Sequence, residues 1–367
     1  MNPKLLAYIL PIAVLFSSCG NTQNADNNVN EPPSGERPLP PDTTKMGHGD
    51  PLQRPEPPKG DPTRPIAHDP VIATQGDTIY AFSTGFGVMQ MHSLDLKNWV
   101  VDGPCLEELP QWIKDRRPDA SMHLWAPDII YANGLWHLYY CSSVFGKNIS
   151  VIGHLTNKTL NRNSKDYKWT DCGMVLESIP HRDFWNAIDP NVVICADGSA
   201  WMTFGSFWGG IKLVRLDATL GALAEPQQWY SISTRQRVKM ETLDEPGDAA
   251  VEAPFIFKRG GWFYLFVSFD YCCRGENSTY HVVCGRSHDI YGPYEDKAGQ
   301  RMDLGGGTRV DIPGADNERY VAAGHCAVVT LRGQDYMALH GYPRNDGPAE
   351  LMIRKIDWSD DGWPTLE

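Results

Sequence analysis

The feature that most constrains the fold of this 367-residue chain is a short motif that recurs at nearly constant intervals. An acidic residue stands beside proline or Ala-Pro at Asp69, Asp128, Asp189 and Glu252, and the intervals between these acids are 59, 61 and 63 residues. A fifth position follows at His325, just before a short apolar run and 73 residues after Glu252. Such a period predicts a repeated structural unit of about sixty residues.

The segments between these motifs have the pattern of β-strands. Short apolar or alternating runs bounded by Gly, Asn and Asp occur in pairs, and no long segment has helical periodicity. The predicted pairs are 78–83 with 88–92, 134–142 with 149–155, 200–205 with 211–216, 261–269 with 280–286, and 335–341 with 351–358. Five such units predict an all-β fold, a five-bladed β-propeller over residues 66–367, with a β-sandwich as the alternative.

The N-terminus predicts export. Lys4 precedes an apolar run over residues 5–16, which is shorter than the ~20 residues that a membrane-spanning helix needs. Small residues then precede Cys19, a pattern similar to a bacterial lipoprotein signal over residues 1–19 in which Cys19 is lipidated. The alternative is an ordinary secretory signal with an incidental cysteine.

Residues 20–65 contain eleven of the 28 prolines and few large apolar side chains. A segment of this composition cannot bury enough surface to fold, so we expect a disordered tether. With a lipid at Cys19, it would hold the folded domain at the periplasmic or cell-surface face of a bacterial envelope.

The charge and the cysteines narrow the choice of partners. A formal net charge of −12, with no Lys/Arg-rich run to reverse it locally, excludes nucleic acid as a partner, and we expect a monomer. Eight cysteines besides Cys19 form no metal-type Cys-x-x-Cys pair, and most are expected to be small buried apolar groups. The adjacent Cys272 and Cys273 are interpreted as a packing or loop feature, because a bond between neighbours is strained.

The periodic acids point to a specific chemistry. In a propeller the innermost strand of each blade lines the central channel, so residues at equivalent positions converge there. Carboxyl groups gathered in a partly dry cavity cannot all ionise, and at least one keeps its proton. Glycoside hydrolysis requires one protonated carboxyl and one carboxylate. Each acid beside a proline could alone be a turn former, and the common period favours a site.

Five motifs resemble the ordered motifs of glycoside hydrolase family 43. They are His68-Asp69-Pro70, Leu124-Trp125-Ala126-Pro127-Asp128, Asn186-Ala187-Ile188-Asp189-Pro190, Val251-Glu252-Ala253-Pro254-Phe255 and Gly324-His325. Segments 204–211 and 269–275, with 278–280, are similar to the endo-α-1,5-L-arabinanase branch. The resemblance implies a five-bladed propeller that cleaves internal α-1,5-L-arabinofuranosidic bonds of arabinan, a pectin side chain, with inversion. The alternatives are an exo-acting α-L-arabinofuranosidase or β-xylosidase on the same scaffold, and a non-catalytic glycan-binding propeller.

The resemblance also implies roles for individual residues. Asp69 would be the general base, Glu252 the general acid, and Asp189 the residue that orients Glu252 and keeps its pKa high. Inversion predicts that the carboxyl groups of Asp69 and Glu252 lie about 6.5 to 9.5 Å apart.

His325 resembles the family's central histidine, which lies near a metal ion, often calcium. One Ca²⁺ and no organic cofactor are therefore expected. Cys326 stands where the family pattern has Asn, which makes a water-bonded His325 without an ion the alternative.

Six residues are candidates for substrate binding. Three aromatic residues would stack on the apolar face of a furanose ring, and three polar residues would contact substrate or orient the site. The candidates are Trp125, Phe207 and Trp208 for stacking, and Asp128, Asn186 and Ser206 for polar contact. The alternative for the aromatic residues is packing in the core. The alternative for Asp128 is a turn, and that for Asn186 is a cap at a strand end.

Overall fold

The computed structural model describes residues 61–236 and 245–367. The predicted signal, Cys19 and residues 20–60 of the predicted tether lie outside this range. Within the described ranges, no helix is long and apolar enough to cross a bilayer.

Five antiparallel sheets follow one another along the chain, four with four strands and one with five. The strands of blade 1 and its edge are β1 (Val71–Gln75), β2 (Thr78–Ser83), β3 (Gly85–Phe86), β4 (Met89–Ser93) and β5 (Val100–Pro104), of which β3 pairs with blade 2. Blade 2 contains β6 (His123–Ala132), β7 (Leu135–Ser142), β8 (Ser150–Asn157) and β9 (Thr170–Ser178). Blade 3 contains β10 (Asn191–Ile194), β11 (Ala200–Phe204), β12 (Ile211–Leu216) and β13 (Trp229–Ser233).

Blade 4 contains β14 (Val251–Arg259), β15 (Trp262–Phe269), β16 (His281–Ser287) and β17 (Thr308–Val310). Blade 5 contains β18 (Tyr320–Leu331), β19 (Gln334–Pro343), β20 (Glu350–Trp358) and β21 (Pro364–Leu366). The described helices are short: α1 (Gln111–Arg116), α2 (Gly314–Arg319), and two 3-10 turns at Gly275–Asn277 and Met302–Leu304. The all-β, five-bladed propeller predicted from the sequence is confirmed.

The predicted strand pairs are the second and third strands of every blade. In blade 2, for example, the predicted pair 134–142 and 149–155 corresponds to β7 and β8. A two-residue turn at Asn133 and Gly134 sets the register ahead of this pair, so that Ala132 faces Leu135. Both turn residues have positive φ, 52° and 79°, as a type I′ hairpin requires.

The blades pack on one another through apolar faces. Seven of the eight residues of β7 and all five of β11 are buried, because a central strand of a propeller is covered on both sides. One hydrophobic cluster fills each interface between neighbouring blades. The cluster that joins blade 5 to blade 1 includes Ala67, Ile72, Ile79, Leu331, Ala338 and Leu351.

Backbone bonds also close the ring near the start of the described chain. The carbonyl of Pro62 accepts from the N–H of Trp99, and that of Pro65 accepts from Leu351, both at 2.9 Å. Contact with the propeller thus begins at Pro62, four residues before the predicted start of the folded domain.

Candidate active site

The inner strands of the five blades share a backbone irregularity at the channel. Each strand has one non-glycine residue with positive φ, either within it or two residues before its start: Asp69 at 54°, Ala126 at 31°, Asp189 at 57°, Ala253 at 56° and His325 at 50°. The strand register shifts around Ala126, Ala253 and His325. Side chains rarely tolerate this conformation, and it persists where the surrounding structure enforces it.

This irregularity defines which positions are equivalent. Asp69, Asp189 and His325 occupy the equivalent position in their blades, as predicted. Glu252 precedes the equivalent residue of its own blade by one position, and Asp128 follows its own by two. The interval between the acids therefore predicted which blades carry them, but the five residues do not all occupy the same position along the inner strand.

A second ring of side chains supports the first. In each blade, one side chain near the end of the second strand reaches the next blade. Four of these five side chains accept the backbone N–H of a positive-φ residue there, and the fifth donates to Glu252. We call these five residues the inter-blade collar. The bonds are Ala126 N to Thr84 Oγ1 at 2.7 Å, Asp189 N to Cys141 Sγ at 3.3 Å, His325 N to Ser268 Oγ at 2.8 Å, Asp69 N to His340 Nδ1 at 3.0 Å, and Ser206 Oγ to Glu252 Oε2 at 2.7 Å.

The Asp69 carboxyl group is buried among hydrogen-bond donors. Its Oδ1 lies 2.8 Å from Nδ1 of His68 and 3.0 Å from Nδ1 of His325, and Thr84 Oγ1 donates to its Oδ2 at 2.6 Å. Burial raises the pKa of Asp69, but the two imidazolium groups outweigh burial and hold the pKa well below its ordinary value. Asp69 is therefore ionised and can accept a proton.

A buried hydroxyl connects the histidines around Asp69. Tyr342 Oη lies 2.6 Å from Nε2 of His68 and 3.0 Å from Nε2 of His340, and the two imidazole rings stack with centroids 3.9 Å apart. Burial lowers the pKa of His340 well below its usual range. The ligand atoms of His68, Asp69 and His340 lie within 4.8 Å of one another. Each ring nitrogen already has a protein partner, however, so this cluster is a hydrogen-bond network.

Asp189 and Glu252 form a second buried pair. Asp189 Oδ2 accepts a 3.1 Å bond from the N–H of Ala253, and Ser206 holds the Glu252 carboxyl group. Burial, with the charges of Glu252 and Asp69, raises the pKa of Asp189 to about 8 against the opposing His325. Burial raises the pKa of Glu252 as well. The pair therefore retains a proton at neutral pH.

His325 is the residue expected to contact a metal ion. Its Nδ1 bonds to Asp69, and among the described residues Nε2 has no hydrogen-bond partner. A carboxylate on the opposite nitrogen is the usual orientation of a histidine ligand. One imidazole is a sparse site for calcium, which prefers six to eight oxygens, so water would supply the other ligands. A cation would also compete with a proton, because Asp69 outweighs burial and raises the pKa of His325 to about 9.

The side chain of Cys326, the departure from the family pattern, packs in the core. It is buried in the hydrophobic cluster between blades 4 and 5, together with Cys284 and Val328. Of the eight cysteines in the described ranges, four are buried, Cys105, Cys141, Cys284 and Cys326, and all eight are free.

Two of the three aromatic residues predicted to stack on a sugar are partly exposed to solvent. Trp125 is half-buried and packs against the cluster of Ala126, Cys141 and Ile188. Phe207 is half-buried with its ring 6.0 Å from that of Tyr271. Trp208 is only 3% exposed. Its indole lies in the interior and cannot stack on a sugar in this conformation, contrary to the prediction.

The polar candidates bond within the protein. Asp128 accepts from Asn191 Nδ2 at 3.2 Å and from the N–H of Val192 at 2.7 Å, so its carboxylate joins blade 2 to blade 3. Asn186 Oδ1 accepts from Ser150 Oγ at 2.6 Å. Ser206 belongs to the inter-blade collar. These bonds give all three residues a structural role, and contact with substrate stays a prediction.

Comparison with known proteins agrees with this geometry. The family model described as glycosyl hydrolases family 43 matches residues 62–364. The chain belongs to glycoside hydrolase family 43. The extracellular exo-α-(1→5)-L-arabinofuranosidase ArbA of Cellvibrio japonicus is 46% identical over 301 residues, which cover 82% of this chain and 86% of the relative. The extracellular endo-α-(1→5)-L-arabinanase 1 of Bacillus subtilis is 37% identical over 305 residues, which cover 82% and 87%.

A solved structure of a family 43 relative extends the match to the fold. The α-L-arabinanase of Cellvibrio cellulosa, complexed with arabinohexaose, superposes with a TM-score of 0.80 at 44% identity, over 83% of this chain and 96% of that one. The described family 43 propeller thus provides one ionised carboxylate and one proton-retaining carboxyl pair in a shared channel. This combination can perform acid-base catalysis.

Sequence reasoning missed part of the family 43 site. His340, Tyr342 and the collar residues Thr84, Cys141 and Ser268 were not identified. A signal was present, because polar or sulfur side chains recur near the ends of the second strands at intervals similar to those of the acids.

Proposed function

We propose that this protein is an inverting glycosidase that hydrolyses α-1,5-linked L-arabinan. The observation that carries the proposal is the difference between its buried carboxyl groups: two imidazolium groups keep Asp69 ionised, whereas burial keeps one proton on the pair formed by Asp189 and Glu252. Separated protonation states of this kind identify a base and an acid. The names of the similar relatives, and the arabinohexaose bound to one of them, support arabinan as substrate.

In this proposal Asp69 removes a proton from the attacking water. Glu252 protonates the departing sugar oxygen, and Ser206 fixes its carboxyl group. Asp189 orients Glu252 by holding the adjacent Ala253 amide, and when the proton of the pair lies on Glu252, the charge of Asp189 favours its retention there. A calcium ion held by Nε2 of His325 would add positive charge beside these groups.

The cleavage position has two candidates. Segments 204–211 and 269–275, with 278–280, predict endo action. Exo action is the second candidate, and the observation that favours it is the higher identity, 46% against 37%, to the relative named as an exo enzyme. An endo enzyme needs a groove open at both ends, and an exo enzyme a pocket closed at one.

Hydrolysis of linear debranched arabinan, with xylan in parallel, tests the function. We expect release of reducing sugar from arabinan alone, and proton NMR of the first product should show the inverted anomer. Mixed oligomers at early times would indicate endo action, and a single product would indicate exo action. Binding without release of reducing sugar would support the glycan-binding alternative.

We also propose that the protein is exported and anchored through a lipid on Cys19. The similar relatives named as extracellular support export, and the motif before Cys19 supports the anchor. Cys19→Ser should move the protein from the membrane fraction to the soluble fraction. An unchanged membrane fraction would contradict the anchor.

A further inference from the structure

Two adjacent cysteines lie in the loop after β15. The Sγ atoms of Cys272 and Cys273 are 2.6 Å apart, and both residues are half-buried. A disulfide bond is about 2.05 Å long, so the sulfurs are close to bonding distance. Their partial exposure leaves them open to a soluble oxidant.

The pair contacts the residues that surround Asp69. Cys273 Sγ lies 3.8 Å from Nε2 of His68, and the Cys273 N–H donates to Tyr342 Oη at 3.0 Å. Because His68 bonds to Asp69 through its other nitrogen, the sulfur is one residue away from the proposed base. A chemical change at Cys273 therefore reaches the catalytic carboxylate through His68.

The two thiols differ in reactivity. The hydrogen bond with Cys272 and the charge of His68 hold the pKa of Cys273 well below its ordinary value, despite burial. The same hydrogen bond, with burial, raises the pKa of Cys272 well above its ordinary value. A thiolate beside a thiol is the arrangement from which thiol-disulfide exchange proceeds.

We propose that Cys272 and Cys273 are a redox pair that closes to a vicinal disulfide under oxidising conditions, and that closure changes the rate of turnover. The oxidant is a small-molecule or protein disulfide. The Cys273 thiolate attacks one of its sulfurs, forms a mixed disulfide and releases the first thiolate. Cys272 then loses its proton and attacks Cys273 Sγ, which forms the intramolecular bond and releases the second thiolate. Two thiols are oxidised, and one disulfide is reduced to two thiols.

The bond is reversible on structural grounds. Neighbouring Cα atoms are about 3.8 Å apart, whereas disulfide-linked Cα atoms are usually about 4.4 to 6.8 Å apart. A vicinal disulfide is therefore strained and easily reduced.

The effect on turnover follows from the position of the thiolate. In the reduced state Cys273 places a negative charge beside His68, whose other nitrogen bonds to Asp69, and this charge adds to burial in raising the pKa of Glu252. Oxidation removes the charge from the surroundings of both proposed catalytic groups. We expect the two redox states to differ threefold or more in kcat and less in KM, because both groups act in the chemical step. This effect on rate rests on the proposed function, whereas disulfide formation does not.

The test uses the full chain, treated with oxidised glutathione or with a phosphine reductant. Each sample is unfolded, alkylated with N-ethylmaleimide and mapped by mass spectrometry, and kcat on arabinan is measured in parallel. We expect the peptide containing Cys272 and Cys273 to be unalkylated and 2 Da lighter after oxidation, and kcat to differ between the oxidised and the reduced sample. Cys273→Ser should remove both responses, whereas Cys172→Ser, at an exposed cysteine on β9, should retain both.

Three results would overturn the proposal. Full alkylation of both cysteines after oxidation would exclude the bond, and a glutathione adduct that persists on Cys273 would show that Cys272 does not resolve it. An unchanged kcat in a sample that mass spectrometry shows to be fully reduced would exclude the effect on rate. A protein inactive on arabinan in both states would contradict the proposed function, and the alkylation pattern alone would still decide whether the pair forms a disulfide.

Discussion

The backbone N–H of Ala253 donates a 3.1 Å hydrogen bond to the carboxyl group of Asp189 on the preceding blade. Ala253 directly follows Glu252, so this bond connects the backbone of the proposed acid to a neighbouring carboxyl group. Both carboxyl groups are buried, and the charge of Glu252 contributes to the raised pKa of Asp189. The two groups titrate as a unit.

Asp189→Asn should move the alkaline limb of the activity profile to lower pH. The amide oxygen can still accept the Ala253 N–H, but the negative charge is lost. Removing that charge lowers the pKa of Glu252, which then loses its proton at lower pH. The measurement is kcat/KM against pH, with circular dichroism to show that the fold is retained. An unchanged alkaline limb would show that Asp189 has only a structural role.

Glu252→Gln and Asp69→Asn should respond differently to the leaving group. Each should lower kcat/KM on arabinan roughly 10²- to 10⁴-fold, the usual contribution of a general acid or base. An aryl arabino-oligosaccharide with a nitrophenol leaving group needs little protonation, so it should restore much of the activity of Glu252→Gln. It should not restore Asp69→Asn, which lacks the group that activates water. Equal rescue of both variants would contradict the assigned roles.

Ser268→Ala should destabilise the propeller. Ser268 Oγ accepts the N–H of His325 across the interface of blades 4 and 5, and Ser268 is fully buried. A buried N–H that loses its acceptor costs about 1 to 3 kcal/mol. Urea denaturation measures the loss, with Ser231→Ala on the exposed part of β13 as the matched control. Equal stability of the two variants would show that the collar bond at this position contributes nothing.

Calcium should raise the melting temperature of the protein if His325 binds it. A ligand that binds the folded state alone stabilises it by mass action. The measurement compares protein treated with a chelator before and after addition of calcium. His325→Ala should lose the calcium-dependent rise, and His92→Ala, outside the channel, should retain it. A rise that persists in His325→Ala would place the ion elsewhere.

The stability of the protein should fall as the pH decreases from about 6.5 to 4. His137 Nδ1 lies 2.9 Å from His154 Nε2 in the interior of blade 2, and burial, with the charge of His137, lowers the pKa of His154 to about 4. Unfolded histidine titrates near 6.5, so in this window the unfolded chain takes up protons that the folded chain does not.

Histidine protonation should cost up to about 3 kcal/mol of unfolding free energy, since each pKa unit corresponds to about 1.4 kcal/mol. Urea denaturation at several pH values measures this slope. His154→Phe should flatten it, and His288→Gln at the surface should leave it intact. An identical slope in His154→Phe would exclude the histidine pair as its source.

Local patterns in the sequence predicted the strands well. The second and third strands of each blade are contiguous in sequence and closed by short turns, so composition and alternation locate them. The three catalytic candidates were found for a related reason, because each lies in a motif repeated once per blade.

Long-range geometry limited the prediction of the site. Asp128 shares the period of the acids, but a two-residue offset from the positive-φ position makes its carboxylate bind the next blade. His340 and Tyr342 contact His68 across more than 270 residues of sequence. The recurring polar side chains of the second strands do not reveal which residues they contact, and the offset has no local signature, because both depend on backbone bulges and on how neighbouring blades meet.

The bond between Asp69 and His340 ties catalysis to the completion of the chain. The two residues are 271 positions apart, and they meet only when blade 5 docks against blade 1. A polypeptide that lacks blade 5 lacks the side chain that holds the backbone of the proposed base. Because the C-terminal blade supplies His340, the surroundings of Asp69 are complete only after that blade has folded, and we expect a chain that lacks it to be inactive.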